Sequence, residues 1–382
     1  MFAAFKITQV HGYSILALSK LLQSSKLKGV KQQRNIMESV LLIGGSGFLG
    51  LHLIQQFSEV TPRPKISVFD VRPLPQKLSK QFSFDPKDIG FFKGDLTSSA
   101  DVSKAIKESG ANVVVHSASP MHGNTQEVYE KVNVEGTRNV LDVAKSCGVK
   151  AFVYTSSAGV IFNGQDIHNA DETWPIPEIP MDGYNETKAI AEEMVLKAND
   201  AANEFLTIAL RPAGIFGPGD RQLVPGLRSV AKLGQSKFQL GDNNNLFDWT
   251  YAGNVADAHV LAAKKLLEGG DSALVAGETF FITNDTPTYF WALARTVWKA
   301  DGHVDKKNIV LSKPVAIFAG YLSEFFSKIL RKEPGLTPFR VKIVCAYRYH
   351  NIDKAKQLLG YSPKVDIEEG IRRTLLWMDE GL

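Results

Sequence analysis

With 44% hydrophobic and 22% charged residues over 382 positions, the chain has the composition of a folded protein with one large core rather than of a disordered one. Of its net charge of +4, six basic residues (Lys6, Lys20, Lys26, Lys28, Lys31 and Arg34) fall in the first 36 positions, and subtracting them leaves the remainder at −2. There is then no basic body for nucleic acid to bind. Two cysteines, Cys147 and Cys345, without CxxC or HExxH spacing, exclude a disulfide framework, predict no structural metal and fit a reducing compartment.

The segment 1–36 is basic, lacks acids and carries a weakly apolar stretch from Tyr13 to Leu22. This fits an organelle-targeting or membrane-surface helix. Met37, directly before the first core strand, would equally be a natural start for the folded part. No stretch reaches the roughly 18 apolar residues of a spanning helix.

Val40–Ile43 is an apolar run fitting a buried parallel strand, followed at once by glycines at 44, 47 and 50 and a helix from Phe48 to Phe57. Gly44 suits the tight turn, Gly47 the approach of a pyrophosphate, and Gly50 close packing of helix on strand. The amides around Phe48 and Leu49 would meet the phosphates at the helix N-terminus. A second strand, Lys65–Asp70, ends in an acid twenty residues after Gly50. Asp70 would accept from the adenosine ribose hydroxyls and favour NAD, while Arg72 keeps NADP open by offering a partner for a 2′-phosphate. A third strand around Gly90–Gly94 precedes Asp95 and Leu96, placed to contact adenine. A fourth, Asn112–His116, leads into Ser117 and Ala118, beside the expected nicotinamide ribose. His116, at a buried strand end, reads as a hydrogen-bonded structural residue before a catalytic one.

Ala151–Ser157 predicts a fifth parallel strand ending in the hydroxyls Thr155, Ser156 and Ser157, at the sheet edge where ligands of open α/β sheets bind. Tyr184 and Lys188 follow on a helix running to Lys197, and their i, i+4 spacing puts phenol and ammonium on one face. Oxidising a secondary alcohol requires a base for the hydroxyl proton as hydride leaves carbon. A free tyrosine titrates near ~10, so an adjacent lysine and a positive nicotinamide are expected to draw Tyr184 toward neutrality. Lys188 would also hold the nicotinamide ribose. Ser157 would steady the charge developing on the substrate oxygen, with Ser156 and Thr155 as alternatives. A YxxxK pair alone is common; its place after the glycine loop, the acid and the hydroxyl-ended strand makes it specific.

These motifs, with Val132–Asn139, Leu210–Pro218 and Phe247–Asp257, resemble the extended short-chain dehydrogenase/reductase superfamily over residues 38–382. The resemblance implies a structural or proton-relay role for Asn133. Trp174–Pro177, Glu333–Val341 and Tyr349–Pro363 are similar to the 3β-hydroxysteroid dehydrogenase branch, and within it to the decarboxylating 3-dehydrogenases of sterol C4-demethylation. That implies oxidation of the 3β-hydroxyl of a 4α-carboxysterol to a 3-ketone with loss of CO2. It further implies a place on the cytosolic face of the endoplasmic reticulum membrane among the other C4-demethylation enzymes, with a lipid droplet or the cytoplasm as alternatives, and it is compatible with a homodimer. A 3β-hydroxysteroid dehydrogenase/isomerase and a UDP-sugar epimerase are the alternative enzymes. A nucleotide-sensing regulator without chemistry would not be expected to keep Tyr184 and Lys188.

Pro314–Leu330 is apolar at helical spacing, with Glu324 and Lys328 on a narrow polar side. It would either lie in a membrane interface, with Lys328, Arg331 and Lys332 near headgroups, or pack its apolar face over the substrate pocket. The expected fold is α/β: a Rossmann-type doubly wound parallel sheet in an NAD-binding domain over 37–211, to which 249–265 returns, with a smaller substrate-binding lobe from 212–248 and 266–382.

Overall fold

The computed structural model describes residues 36–304, 308–331 and 334–381; the basic segment 1–35 and Lys332 lie outside them. Seven parallel strands make the central sheet: β1 (Ser39–Ile43), β2 (Lys65–Asp70), β3 (Gly90–Lys93), β4 (Val113–His116), β5 (Ala151–Thr155), β6 (Leu206–Pro212) and β7 (Glu278–Ile282). Their order across the sheet is β7-β6-β5-β4-β1-β2-β3. Strands β1, β4 and β5 are buried at every position, which explains their unbroken apolar runs: helices cover both faces of a parallel sheet, so no side of a central strand meets water. Because β4 and β2 flank β1, the winding reverses at the β1/β4 boundary. The crevice beyond the carboxyl ends of those two strands is where such sheets bind ligands.

Four helices position the site or its surroundings: α1 (Phe48–Ser58), α2 (Gly183–Lys197), α3 (Ala252–Leu267) and α4 (Lys313–Leu330). Asp182 starts α2 by accepting the Asn185 amide at 2.8 Å, a cap worth about 1 kcal/mol. A second, four-stranded sheet takes Thr288–Tyr289, Leu246–Phe247, Arg348–His350 and Ile167–Ala170 in that order. It ties late segments of the chain to the stretch that leads into α2.

Two expectations change. The central sheet takes its seventh strand, β7, from 278–282, a stretch expected in the smaller lobe; Trp249–Tyr251 pairs with Gly214–Phe216 in a separate ribbon, and α3, which follows it, packs on α1, β5 and β6 as part of the first domain. Both are short apolar runs, and only tertiary pairing tells them apart. The apolar face of α4 does not cover the pocket. Its small residues Ala316 and Gly320 are the buried ones, and a Cβ on Gly320 would lie 2.8 Å from the Pro338 nitrogen, whereas Phe318, Phe325, Phe326, Ile329 and Leu330 are each more than half exposed.

Candidate active site

The turn after β1 is built by Gly44, whose φ of +84° suits only glycine and whose missing Cβ would stand 2.7 Å from Ala118. Its amide donates to the Phe69 carbonyl at 2.9 Å, bringing the loop against the end of β2. No side chain caps α1 and no acid sits in its first turn, so its leading N–H groups are left for an anion. Asp70 is buried, and its two oxygens accept the Ser46 amide at 3.1 Å and the Arg72 amide at 3.0 Å. The carboxylate is thereby locked to the glycine loop with lone pairs to spare for two hydroxyls.

Gly44, Gly47, Phe48, Leu49, Gly50, Asp70, Asp95, Leu96, Ser117 and Ala118 line one cavity of about 640 Å3, which Arg72 also borders. The volume, the glycine cradle and the buried acid fit a dinucleotide, with Gly47, Phe48 and Leu49 at its phosphates and Asp70 at a ribose. Asp95 spends one carboxylate oxygen on the Thr97 amide and hydroxyl, at 2.9 and 2.8 Å, and these bonds hold it below the usual carboxylate range.

Tyr184 and Lys188 sit one turn apart on α2, with their polar ends engaged separately. The Tyr184 hydroxyl feels the Ser119 side chain, which opposes the rise of its pKa. Its ring lies 3.9 Å from that of His122 and 5.7 Å from that of Tyr129, centroid to centroid. Lys188 is buried, donates to the Thr155 carbonyl at 2.5 Å and stands 4.3 Å above the Tyr154 ring. The expected depression of the phenol is absent in the protein itself. Burial pushes Tyr184 up to about 12 and Lys188 down to about 7, with the Glu192 carboxylate resisting the lysine's fall. Desolvation disfavours whichever form is charged, so it moves the two groups in opposite directions.

The hydroxyls at the end of β5 part ways. Thr155 faces the far side, its Oγ1 2.7 Å from His259 Nε2 on α3, which removes it as a substrate ligand. Ser156 Oγ is buried without a hydrogen-bond partner among the described residues. Ser157 is partly accessible and accepts the Gly159 amide at 3.0 Å. His116 is buried against Thr137 Oγ1 at 2.9 Å, and burial lowers it to about 3; it is a neutral structural residue.

Asn133 lies in a π-helical turn, Glu130–Gly136, a distortion frequent at functional sites. Its Oδ1 accepts from Ser119 Oγ and its Nδ2 donates to Thr187 Oγ1, each at 3.0 Å. A line of hydrogen bonds therefore runs from Ser119 through Asn133 to Thr187 on α2. Ser119 and His122 escape sequence reasoning, since nothing but the fold brings the loop after β4 onto the Tyr184 ring.

The profile of the 3-beta hydroxysteroid dehydrogenase/isomerase family matches residues 41–313. The sterol-4-alpha-carboxylate 3-dehydrogenase, decarboxylating, of Saccharomyces cerevisiae is 77% identical over 346 residues, 91% of this chain and 99% of that protein. The Homo sapiens protein of that name is 39% identical, over 90% of this chain and 89% of its own length. Among solved structures, dTDP-glucose 4,6-dehydratase of Bacillus anthracis in complex with NAD shares the fold at a TM-score of 0.66 and 19% identity, over 90% of this chain and 97% of that one. A Thermus thermophilus UDP-glucose 4-epimerase complex with NAD does so at 0.65 and 21%, over 90% and 99%.

Proposed function

This chain belongs to the 3-beta hydroxysteroid dehydrogenase/isomerase family, and from that premise we propose that it oxidises the 3β-hydroxyl of a 4α-carboxysterol to the ketone, with loss of CO2, using NAD. The observation that carries this reading is identity with the yeast decarboxylating enzyme that persists across nearly the full length of both chains, the C-terminal half included. Bound NAD would supply the hydride acceptor. Gly44, Gly47, Phe48, Leu49, Gly50, Asp95, Leu96, Ser117 and Ala118 would hold it, and the anchored Asp70 would take the ribose hydroxyls and repel a 2′-phosphate.

Tyr184 is the base: it removes the C3 hydroxyl proton while hydrogen leaves C3 as hydride and the C=O bond forms. Lys188 holds the nicotinamide ribose, and Ser157 donates to the substrate oxygen. The product is a β-keto acid. Its C4–carboxylate bond breaks to release CO2, the electron pair passes into the C3 carbonyl as an enolate, and a proton returns to C4. Hydride transfer itself activates the carboxylate to leave, so no second catalytic centre is required. Purified protein with NAD and a 4α-carboxysterol is expected to form NADH and a 3-ketosterol one carbon shorter, and more slowly with NADP. The absence of NADH sinks the assignment, and tightly held NAD with no net NADH would indicate an epimerase.

The outward face of α4 suits a membrane interface from which a sterol enters. No helix among the described residues is long and apolar enough to cross a bilayer, and Phe318, Phe325 and Leu330 stand exposed beside Lys328 and Arg331. This supports peripheral attachment to the endoplasmic reticulum, near the other C4-demethylation enzymes. Replacing Phe318 and Phe325 together with serine is expected to weaken partitioning onto phosphatidylcholine/phosphatidylserine vesicles roughly a hundredfold, since each buried ring contributes about 1.5–3 kcal/mol. Undiminished co-flotation of the double variant rules the face out.

A further inference from the structure

The second sheet carries an arginine that the reading above leaves unused. Arg348 projects from the strand Arg348–His350, and its guanidinium lies over two rings, 4.1 Å from the Phe162 centroid and 5.2 Å from that of Phe247. Among the described residues it makes no hydrogen bond and no ion pair, and its Nε is buried without a partner. That is unusual for a guanidinium, which has five donors to satisfy and is costly to bury uncompensated. Arg211, the more deeply buried of the two, shows the ordinary arrangement, with two bonds to the Glu192 carboxylate at 2.9 and 2.6 Å.

Two observations place Arg348 beside the reacting end of the cleft. Its closest influential acid is Asp182, which already caps α2 through Asn185 and stands two residues before Tyr184. Its positive charge also reaches His122, whose ring rests on Tyr184. Phe162, which the guanidinium covers, hydrogen-bonds through its carbonyl to the Met181 amide at the entry to α2, at 3.1 Å. The cation thus neighbours the stretch that leads into α2 and Tyr184, and His122 is touched by both, by the charge of one and the ring of the other.

We propose that Arg348 binds the carboxylate on the substrate carbon next to the one oxidised. This rests on the 4α-carboxysterol reading. In a β-hydroxy acid the hydroxyl and the carboxylate lie on adjacent carbons, so a cation near Tyr184 engages the acid while the phenol engages the alcohol. A planar fork suits a carboxylate and orients it. The two rings beside the guanidinium lower the local dielectric and strengthen the pairing. Arg348 is thus a specificity residue that separates carboxylated sterols from neutral ones.

The test compares wild type, Arg348→Gln and Arg348→Lys. It measures kcat/KM on a 4α-carboxysterol, and the dissociation constant of the corresponding 4α-methyl sterol with NADH bound. Arg348→Gln is expected to lose about a hundredfold or more in kcat/KM on the acid, chiefly through KM, with neutral-sterol and NAD affinities unchanged. Arg348→Lys is expected to recover part of the loss, because it keeps the charge without the fork. An undiminished kcat/KM in Arg348→Gln overturns the assignment of Arg348 alone. So does an equal loss toward the acid and the neutral sterol. If wild type forms no NADH from the carboxysterol, the functional reading falls and this inference with it.

Discussion

Tyr184→Phe is expected to lower kcat by about 10²–10⁴ while NAD affinity and the thermal midpoint stay within error of wild type. Phenylalanine keeps the ring that packs against His122 and Tyr129 and removes only the hydroxyl. The ring and its packing are kept, so binding and chemistry are separable in this variant. The pH profile gives a second readout. Burial pushes the phenol up to about 12, so at pH 7 only roughly one molecule in 10⁵ would carry phenolate in the protein alone. Lys188, drawn down to about 7, contributes only part of a positive charge. The remaining pull must come from the cationic nicotinamide of the oxidised cofactor, which ties base formation to NAD binding. In wild type the rate therefore rises with pH on a limb that belongs to the cofactor complex, and that limb disappears in Tyr184→Phe. An unchanged kcat removes the tyrosine from the mechanism.

What could be read from the sequence follows the range of the forces involved. The glycine loop, the acid ending β2 and the buried strands are local: each needs only its neighbours in the chain to declare its conformation, and these elements begin and end within a residue or two of expectation. The pair on α2 was equally legible, because i, i+4 spacing is a property of any helix. The two pKa directions were not, since they depend on how much of the fold closes over each group. Nor were the contacts of Ser119, His122 and Arg348, which come from the β4 loop and a strand over two hundred residues away. The place of 278–282 was hidden for the same reason: that stretch was expected in the smaller lobe, β7 joins the central sheet by pairing with β6, and nothing in the short segment announces its partner. The family likeness supplied what spacing lacked for Asn133, whose position between Ser119 and Thr187 gives the likeness a physical basis.

Glu192→Leu is expected to lower the unfolding free energy by about 3–5 kcal/mol in urea titrations. Glu192 is buried one turn beyond Lys188 on α2 and accepts two bonds from the equally buried Arg211, Nε to Oε2 at 2.9 Å and Nη2 to Oε1 at 2.6 Å. It is also the acid whose field sustains the charge of Lys188. Removing it leaves two buried cations facing each other's surroundings with no anion between them. Replacing both partners, as Glu192→Leu with Arg211→Met, takes away the stranded guanidinium, and most of the lost stability should return because a buried pair contributes little over well-packed apolar side chains. Activity should not return with it. Without Glu192, Lys188 falls below about 7 and is largely neutral at physiological pH, so the double variant is expected to fold well and turn over slowly at pH 7. Full turnover at pH 7 in the double variant would mean that Glu192 serves Arg211 alone.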